Sequence, residues 1–436
     1  MNDVLKLGVA REVITPEIGG MLYGYPSCPH STGVRDDLHV TVFAFSQKNL
    51  KALMISVELC AIRTDIANEL RGELEEKFGV PKGKILMACT HTHSGPAMGG
   101  DGGQWGEFDQ PYYDNIFRPA FIAAVEQALK AMEPVTVGIA VGASRVGVNR
   151  RELTLENKVT LGINEWGPYD PRMTVISFRK ESGELLANMV AYGAHGTSAG
   201  ACTLITRDWS GGMIDAMEAH TGAITAYFQG TEGDVAPRKL LEGLSRIEQT
   251  DALEKLAAAD AIRIFNSITD YQPVSIAVRE DILRLPTKPR MPYDELCRRC
   301  DAVTDINKLR LMERVEYRFN LKVKASYEEG YQEQEFEEAN QILFRIGDVI
   351  FAGAGFELFS EIGMRIDKAF PDQNVICLSC TNGKGGYFPT QSQLALGGYE
   401  IDSFRCRNVQ RLVDDADFYY IKETIRNISA LQEAEN

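Results

Sequence analysis

The sequence predicts an α/β protein built of mixed β-sheets flanked by helices. Three observations carry this. Buried-strand runs alternate with amphipathic helices over the first ~280 residues. Gly-rich polar loops stand directly after several of those strands. With 44% hydrophobic and 25% charged residues over 436 positions, the chain has enough apolar surface for a large core and needs no disulfide staples.

The elements follow in order. Ala52-Leu-Met-Ile-Ser-Val57 is a buried strand, and 65–78 is a helix with Ile66, Leu70, Leu74 and Phe78 on one face. Ile85–Cys89 is a second strand, running into Thr90-His91-Thr92-His93-Ser94-Gly95-Pro96. Pro111 to Met132 reads as one helix with proline in its first turn. Leu186–Tyr192 is a strand ending at Gly193-Ala194-His195-Gly196. Trp209–His220 is a helix, and Ala223–Phe228 is a strand that leads into Gln229-Gly-Thr-Glu-Gly-Asp234. Residues 239–268 and 292–341 have helical spacing and exposed charge runs. They read as a helical elaboration around 239–341 on a single domain spanning 1–436. Strands return at 342–346, 349–352 and 375–378. Segments 53–94 and 349–386 share a strand–acid–helix–strand–loop order, through Glu58 and Glu357, which is either an old duplication or two generic βαβ units.

Composition excludes some functions. The net charge is −15 without a Lys/Arg-rich run, so no nucleic-acid partner is expected. No apolar run reaches the ~18 residues of a transmembrane segment. The first residues have no basic n-region or apolar h-region, so a cytoplasmic location is expected. The nine cysteines are scattered. The one C-x-x-C, Cys297/Cys300, lacks partners at finger spacing, and free thiols are expected.

Six histidines are present, and three of them, His91, His93 and His195, stand at strand ends in small polar loops. Residues two apart on an extended chain point to the same side, so His91 and His93 can face one cavity. Imidazoles are common zinc ligands, and ligands of α/β proteins collect at the carboxyl ends of strands, which is where a metal site is expected here. A carboxylate should complete the set. Glu357, after a buried strand and Gly353-Ala-Gly-Phe356, needs a partner or a metal, or else gains from a helix N-terminus. Tyr387 and Tyr399 flank a Gly-rich segment and read from the residues alone as packing groups first. Arg150, in Gly147-Val-Asn-Arg-Arg151 read as a turn, suits a carboxylate or oxyanion. Asp208, Asp234 and Arg238 divide evenly between site roles and salt bridging. The loop Met98–Gln110, with Trp105 and Phe108 expected to be exposed, reads as a substrate rim.

In their order these stretches resemble the neutral/alkaline non-lysosomal ceramidase family. The matching segments are Gly8-Val-Ala-Arg11…Thr15-Pro16, the His-Thr-His-Ser-Gly-Pro run, Gly147–Arg151, Ala194-His-Gly-Thr-Ser198, Gln229–Pro237, Gly355-Phe-Glu357 and Tyr387…Tyr399-Glu400. The resemblance implies one Zn2+ per chain held by His91, His195, Glu357 and Tyr387, with His93, Arg150 and Tyr399 around the reacting carbonyl. It implies hydrolysis of a carboxamide (N-acyl) bond in an N-acyl lipid or a small molecule. The sequence departs from ceramidases proper: no C-terminal immunoglobulin-like domain is expected, and Ala236 and Glu400-Ile-Asp-Ser403 replace smaller or hydroxyl residues. Two alternatives stay open. One is a cytoplasmic zinc hydrolase or lyase of a small polar amide, lactone or ester, and the other is a non-catalytic, metal-stabilised binding protein.

Overall fold

The computed structural model describes residues 4–103 and 105–433. Its spine is an eight-stranded mixed sheet. The spatial order is Ile224–Gln229, Leu185–Tyr192, Arg172–Lys180, Glu133–Ala143, Lys6–Val13, His39–Gln47, Leu50–Val57 and Ile85–Cys89. The outermost pair at each edge is parallel and the pairs between are antiparallel.

Period-two alternation decides what this sheet buries. Along His39–Gln47, Val40, Val42 and Ala44 enter one core, while Phe43 and Phe45 enter another. The first core is closed by helices Thr64–Phe78 and Arg118–Lys130 through Leu70, Leu74, Phe121 and Val125. The second is closed by another sheet, ordered Ile276–Pro286, Phe336–Ile346, Val349–Ala354 and Asn374–Leu378. Phe45 meets Phe344 at 5.2 Å and Phe228 meets Phe351 at 6.2 Å across the interface. Helices Ser360–Lys368 and Ala416–Glu433 cover the far side of the smaller sheet. The result is four layers, helix–sheet–sheet–helix, the mixed α/β class expected from the sequence.

Three details differ from expectation. The helix expected to start at Pro111 contains a π-turn at Tyr113–Phe117, just before Arg118–Lys130. Pro119 has no N–H to give the preceding turn, so the ladder slips there by one residue. Residues 336–341 are strand rather than helix: Phe336 to Ile346 pairs in register with Pro286 to Ile276 along its whole length. Tertiary pairing overrides the helical propensity of Glu337, Glu338 and Gln341. The region 239–341 supplies the helix Arg246–Phe265, packed on Trp209–Thr221 through Leu253, Ala257 and Ile264, and a pair of helices, Tyr293–Asp301 and Leu311–Glu328, joined through Leu296, Phe319 and Val323.

The two strand–helix–strand segments noted in the sequence both form parallel βαβ units, one in each sheet. They face one another, with Ala88 of Ile85–Cys89 bridged to Thr381, just past Asn374–Leu378. Six chain segments leave the carboxyl ends of the parallel strands of the two sheets. No helix among the described residues is long and apolar enough to cross a membrane.

Candidate functional site

Two of those segments deliver imidazoles with the same hydrogen-bond logic. His91 Nδ1 lies 2.9 Å from the Cys60 carbonyl, so its N–H donates there. His195 Nδ1 lies 2.7 Å from the Glu232 carbonyl and 3.0 Å from that of Val235. A ring whose Nδ1 donates to backbone carries its lone pair on Nε2, which is the tautomer of a metal-ligating histidine. His91 adopts φ +63°, a left-handed conformation unusual for a histidine. The sequence reading took this backbone as extended. Instead a turn, held by the Thr92–Gly196 bridge, brings the rings of His91 and His93 together with Nε2 atoms 3.2 Å apart.

Glu357 comes from the segment after Val349–Ala354. Its Oε2 stands 3.5 Å from His91 Nε2 and 3.5 Å from His195 Nε2, and no donor satisfies it. Burial pushes this carboxyl up, but the two imidazoles more than reverse that and hold it well below the usual range. The three atoms lie within 4.8 Å of one another. Tyr387 Oη is 3.4 Å from His195 Nε2, and burial raises that phenol well above its ordinary value.

His93 is half-buried, with its ring centroid 5.1 Å from that of Tyr25 in an edge-to-face arrangement and its Nδ1 without a partner. Burial, then the neighbouring His91 and His195, hold it well below the ordinary histidine value and so neutral. Gly24, at φ +118°, lies so close that a Cβ there would meet the His93 ring at 2.5 Å. Arg150 sits in a strand, Gly147–Leu153, rather than the turn expected: Asn149 pairs with Val235 of Val235–Pro237 and fixes its height. Its Nη1 is 3.0 Å from His195 Nε2, and its Nη2 has no partner. Tyr399 opens the helix Tyr399–Arg405, with its ring 5.5 Å from Tyr387 and 6.3 Å from Trp105. All seven residues singled out in the sequence thus meet in one place.

The rim loop folds down further than expected. Trp105 and Phe108 are half-buried rather than exposed. Phe108 packs on Tyr113, and Tyr23 Oη and Lys384 Nζ both donate to the Gly99 carbonyl at 3.0 Å.

The other candidates are scaffold. Asp208 N-caps Trp209–Thr221 at φ +58° and accepts from Ser198 N, Ser198 Oγ, Ala199 N and Trp209 N at 2.6–3.0 Å. Trp209 Nε1 in turn donates to the His195 carbonyl at 2.9 Å. Asp208→Ala would leave three buried amides unsatisfied, and we expect a stability loss of about 4 kcal/mol in urea titration. Asp234 accepts from Ser360 and Asn149. Arg238 makes a surface ion pair with Glu165.

Four participants escaped the sequence reading. Glu400 grips Arg150. On the far side of His91, Cys60, Cys380 and Glu232 gather: Cys380 Sγ is 3.4 Å from His91 Nδ1 and 3.6 Å from Glu232 Oε1. Burial pushes Glu232 up to about 7, against the opposing pull of His91. Glu232, Cys380 and His91 also lie close enough to hold an ion, as do Cys60, His91 and His93. The Glu232 group needs a lone pair on His91 Nδ1, where the ring instead carries the proton it donates to the Cys60 carbonyl, and the Glu232 side chain is sealed at 0% exposure. The open Nε2 side is the better site. Glu232 carried a readable signal, an acid at a strand end between glycines; Cys60 and Cys380 carried none.

A four-layer α/β sandwich that gathers two imidazoles, a carboxylate and a phenol at its strand ends defines the class. The chain belongs to the neutral/alkaline non-lysosomal ceramidase family, whose N-terminal part its residues 5–246 match. Neutral ceramidase A of Dictyostelium discoideum is 27% identical over 241 residues, which is 50% of this chain and 33% of that protein. The neutral ceramidase of Pseudomonas aeruginosa is 24% identical over 249 residues, 53% of this chain and 37% of that one. The matched stretch is thus about a third of each relative's length. In three dimensions the likeness extends to the whole chain. The crystal structure of neutral ceramidase from Pseudomonas aeruginosa superposes with a TM-score of 0.77 at 18% identity, covering 100% of this chain and 75% of that one. A ceramidase structure described as complexed with C2 gives 0.76 at 18%, with 99% and 76% covered. This likeness establishes the fold. Glu357, Tyr387 and Tyr399 lie beyond residues 5–246, so their place in the site rests on geometry.

Proposed function

We propose that the protein is a zinc-dependent hydrolase of a carboxamide bond, with the ion held by His91 Nε2, His195 Nε2, Glu357 Oε2 and Tyr387 Oη. The observation that carries this is Glu357 Oε2, a buried oxygen without a hydrogen-bond partner among the described residues, 3.5 Å from the Nε2 atoms of His91 and His195. Zinc bonds of about 2.0–2.1 Å at tetrahedral angles separate ligand atoms by about 3.4 Å. The two carboxylate–imidazole spacings of 3.5 Å match this separation, and the N/O donor set suits zinc. Bound zinc would polarise a carbonyl and bring the acidity of water toward neutrality.

The chain's own groups do the rest. Arg150 Nη2 and the Tyr399 hydroxyl face the place where charge develops on the carbonyl oxygen, and stabilise it there. His93, held neutral, is placed to accept the proton that the attacking water loses and to hand it to the leaving nitrogen, ending neutral again. Trp105 and the Gly99 region, tied down by Tyr23 and Lys384, limit water at the reacting centre. The family resemblance makes N-acyl lipids the first substrate class to examine. Small polar amides, lactones or esters are the second reading, favoured by the cationic Lys384 and Arg150 beside a half-closed rim.

Zinc-loaded protein should release a free amine from at least one N-acyl substrate in a panel of N-acyl sphingoid lipids, short N-acyl amines and lactones. Zinc binding without turnover of any amide or ester would place the protein among metal-stabilised binders and end the hydrolase reading.

A further inference from the structure

Arg150 and Arg151 are consecutive on a strand, so their side chains leave on opposite faces. One carboxylate nevertheless engages both. Glu400 Oε1 accepts from Arg150 Nε at 2.8 Å, and Oε2 accepts from Arg151 Nη1 at 2.6 Å. All three are deeply buried, with Glu400 1% exposed, Arg151 3% and Arg150 7%.

The two arginines are held differently. Arg151 is tied at every side: Nε donates to Gln393 Oε1 at 3.1 Å, Nη2 donates to the Gly397 carbonyl at 2.6 Å, and the guanidinium lies 5.3 Å from the Phe359 ring centroid. Arg150 is tied at Nε by Glu400 and reaches His195 with Nη1, and its Nη2 is left without a partner. The two cations share the one Glu400 carboxylate, and Glu357 is the other anion that acts on Arg150. A guanidinium is planar, and fixing Nε fixes where Nη2 points.

We propose that Glu400 is a positioning residue. Braced by Arg151, it locks the plane of Arg150 so that Nη2 faces the oxygen on which charge develops. This deepens the amide-hydrolase reading and rests on it. It also explains why Tyr399 and Glu400 are neighbours. One short helix start supplies a phenol to the site and the clamp for the guanidinium beside it.

The alternative, a purely structural role for Glu400 as a counter-ion, would cost stability and leave the folded enzyme's turnover alone. The test compares zinc-loaded full-length wild type with Glu400→Gln. It measures kcat and KM on an amide, zinc content, melting temperature, and calorimetric affinity for phenylphosphonate, a tetrahedral oxyanion probe. We expect kcat to fall about 100-fold with KM within about threefold, zinc content unchanged, and phenylphosphonate affinity about tenfold weaker. Turnover per folded molecule and phosphonate affinity both within about threefold of wild type would overturn the proposal. If wild type hydrolyses no amide, the hydrolase reading fails. The phosphonate comparison still judges Glu400, with equal affinity in the two proteins counting against it. If Glu400→Gln does not fold, Glu400→Asp and Arg151→Met take its place. Each is expected to lower kcat and phosphonate affinity about tenfold, and unchanged values in both variants would overturn the proposal.

Discussion

Replacing His91 with alanine is expected to abolish zinc binding and activity together. His91 Nε2 is one corner of the cluster, and its Nδ1 is already committed to the Cys60 carbonyl, so no second atom of the ring replaces the first. The remaining His195, Glu357 and Tyr387 would hold zinc through one imidazole and two oxygens, which is too few strong donors for a stable site. Turnover should fall by about three orders of magnitude or more. Glu357→Gln sharpens the result. It keeps the shape of the side chain and removes the only anionic ligand of the proposed set besides the phenol, so zinc content should again drop. Glu232→Gln, on the other side of the same imidazole, should keep one zinc per chain. Metal analysis and amide hydrolysis on the three variants check this directly. Loss of zinc from Glu232→Gln but not from Glu357→Gln would move the ion to the sealed side of His91.

Removal of the groups facing the developing oxyanion should do the reverse, sparing the metal and slowing turnover. Tyr399→Phe deletes one hydroxyl and leaves the ring on Tyr387 and Trp105. A lost oxyanion donor costs about 100- to 1,000-fold in kcat, and we expect Tyr399→Phe to fall in that range with KM within about threefold. Arg150→Lys should behave alike, because a lysine keeps the charge but cannot hold Glu400 and offer a second N–H at once. Each variant should retain one zinc. Steady-state kinetics with metal analysis separates the outcomes: a raised KM at unchanged kcat would assign these groups to uniform substrate binding instead.

Much of this site was legible because its residue types are conspicuous where they stand. Histidine is rare in the chain, and His91 and His195 each follow a buried strand through a small polar loop, a setting that a hydrophobic core does not call for. Glu357 was legible for the same reason, as a charge emerging from Val349–Ala354. Tyr387 was not, since a tyrosine after a strand is as good a packing residue as a ligand, and only the family resemblance separated the two. Glu400 was hidden because its meaning depends on contacts about 250 positions away along the chain. The strand alternation of His39–Gln47 encodes the two cores that it faces. The strand at 336–341 was obscured, since its charged residues favour a helix and only pairing with Ile276–Pro286 makes them extended. Local pattern reports local choices, and the proposed ligand set, drawn from four chain segments, is a long-range product.

The central claim is that the ion sits on the Nε2 side of His91. Anomalous diffraction at the zinc edge from crystals of the zinc-loaded protein tests it in one measurement. A single peak is expected about 2.0–2.2 Å from His91 Nε2, His195 Nε2 and Glu357 Oε2. A peak between His91 Nδ1, Cys380 and Glu232, or none near His195, would contradict it.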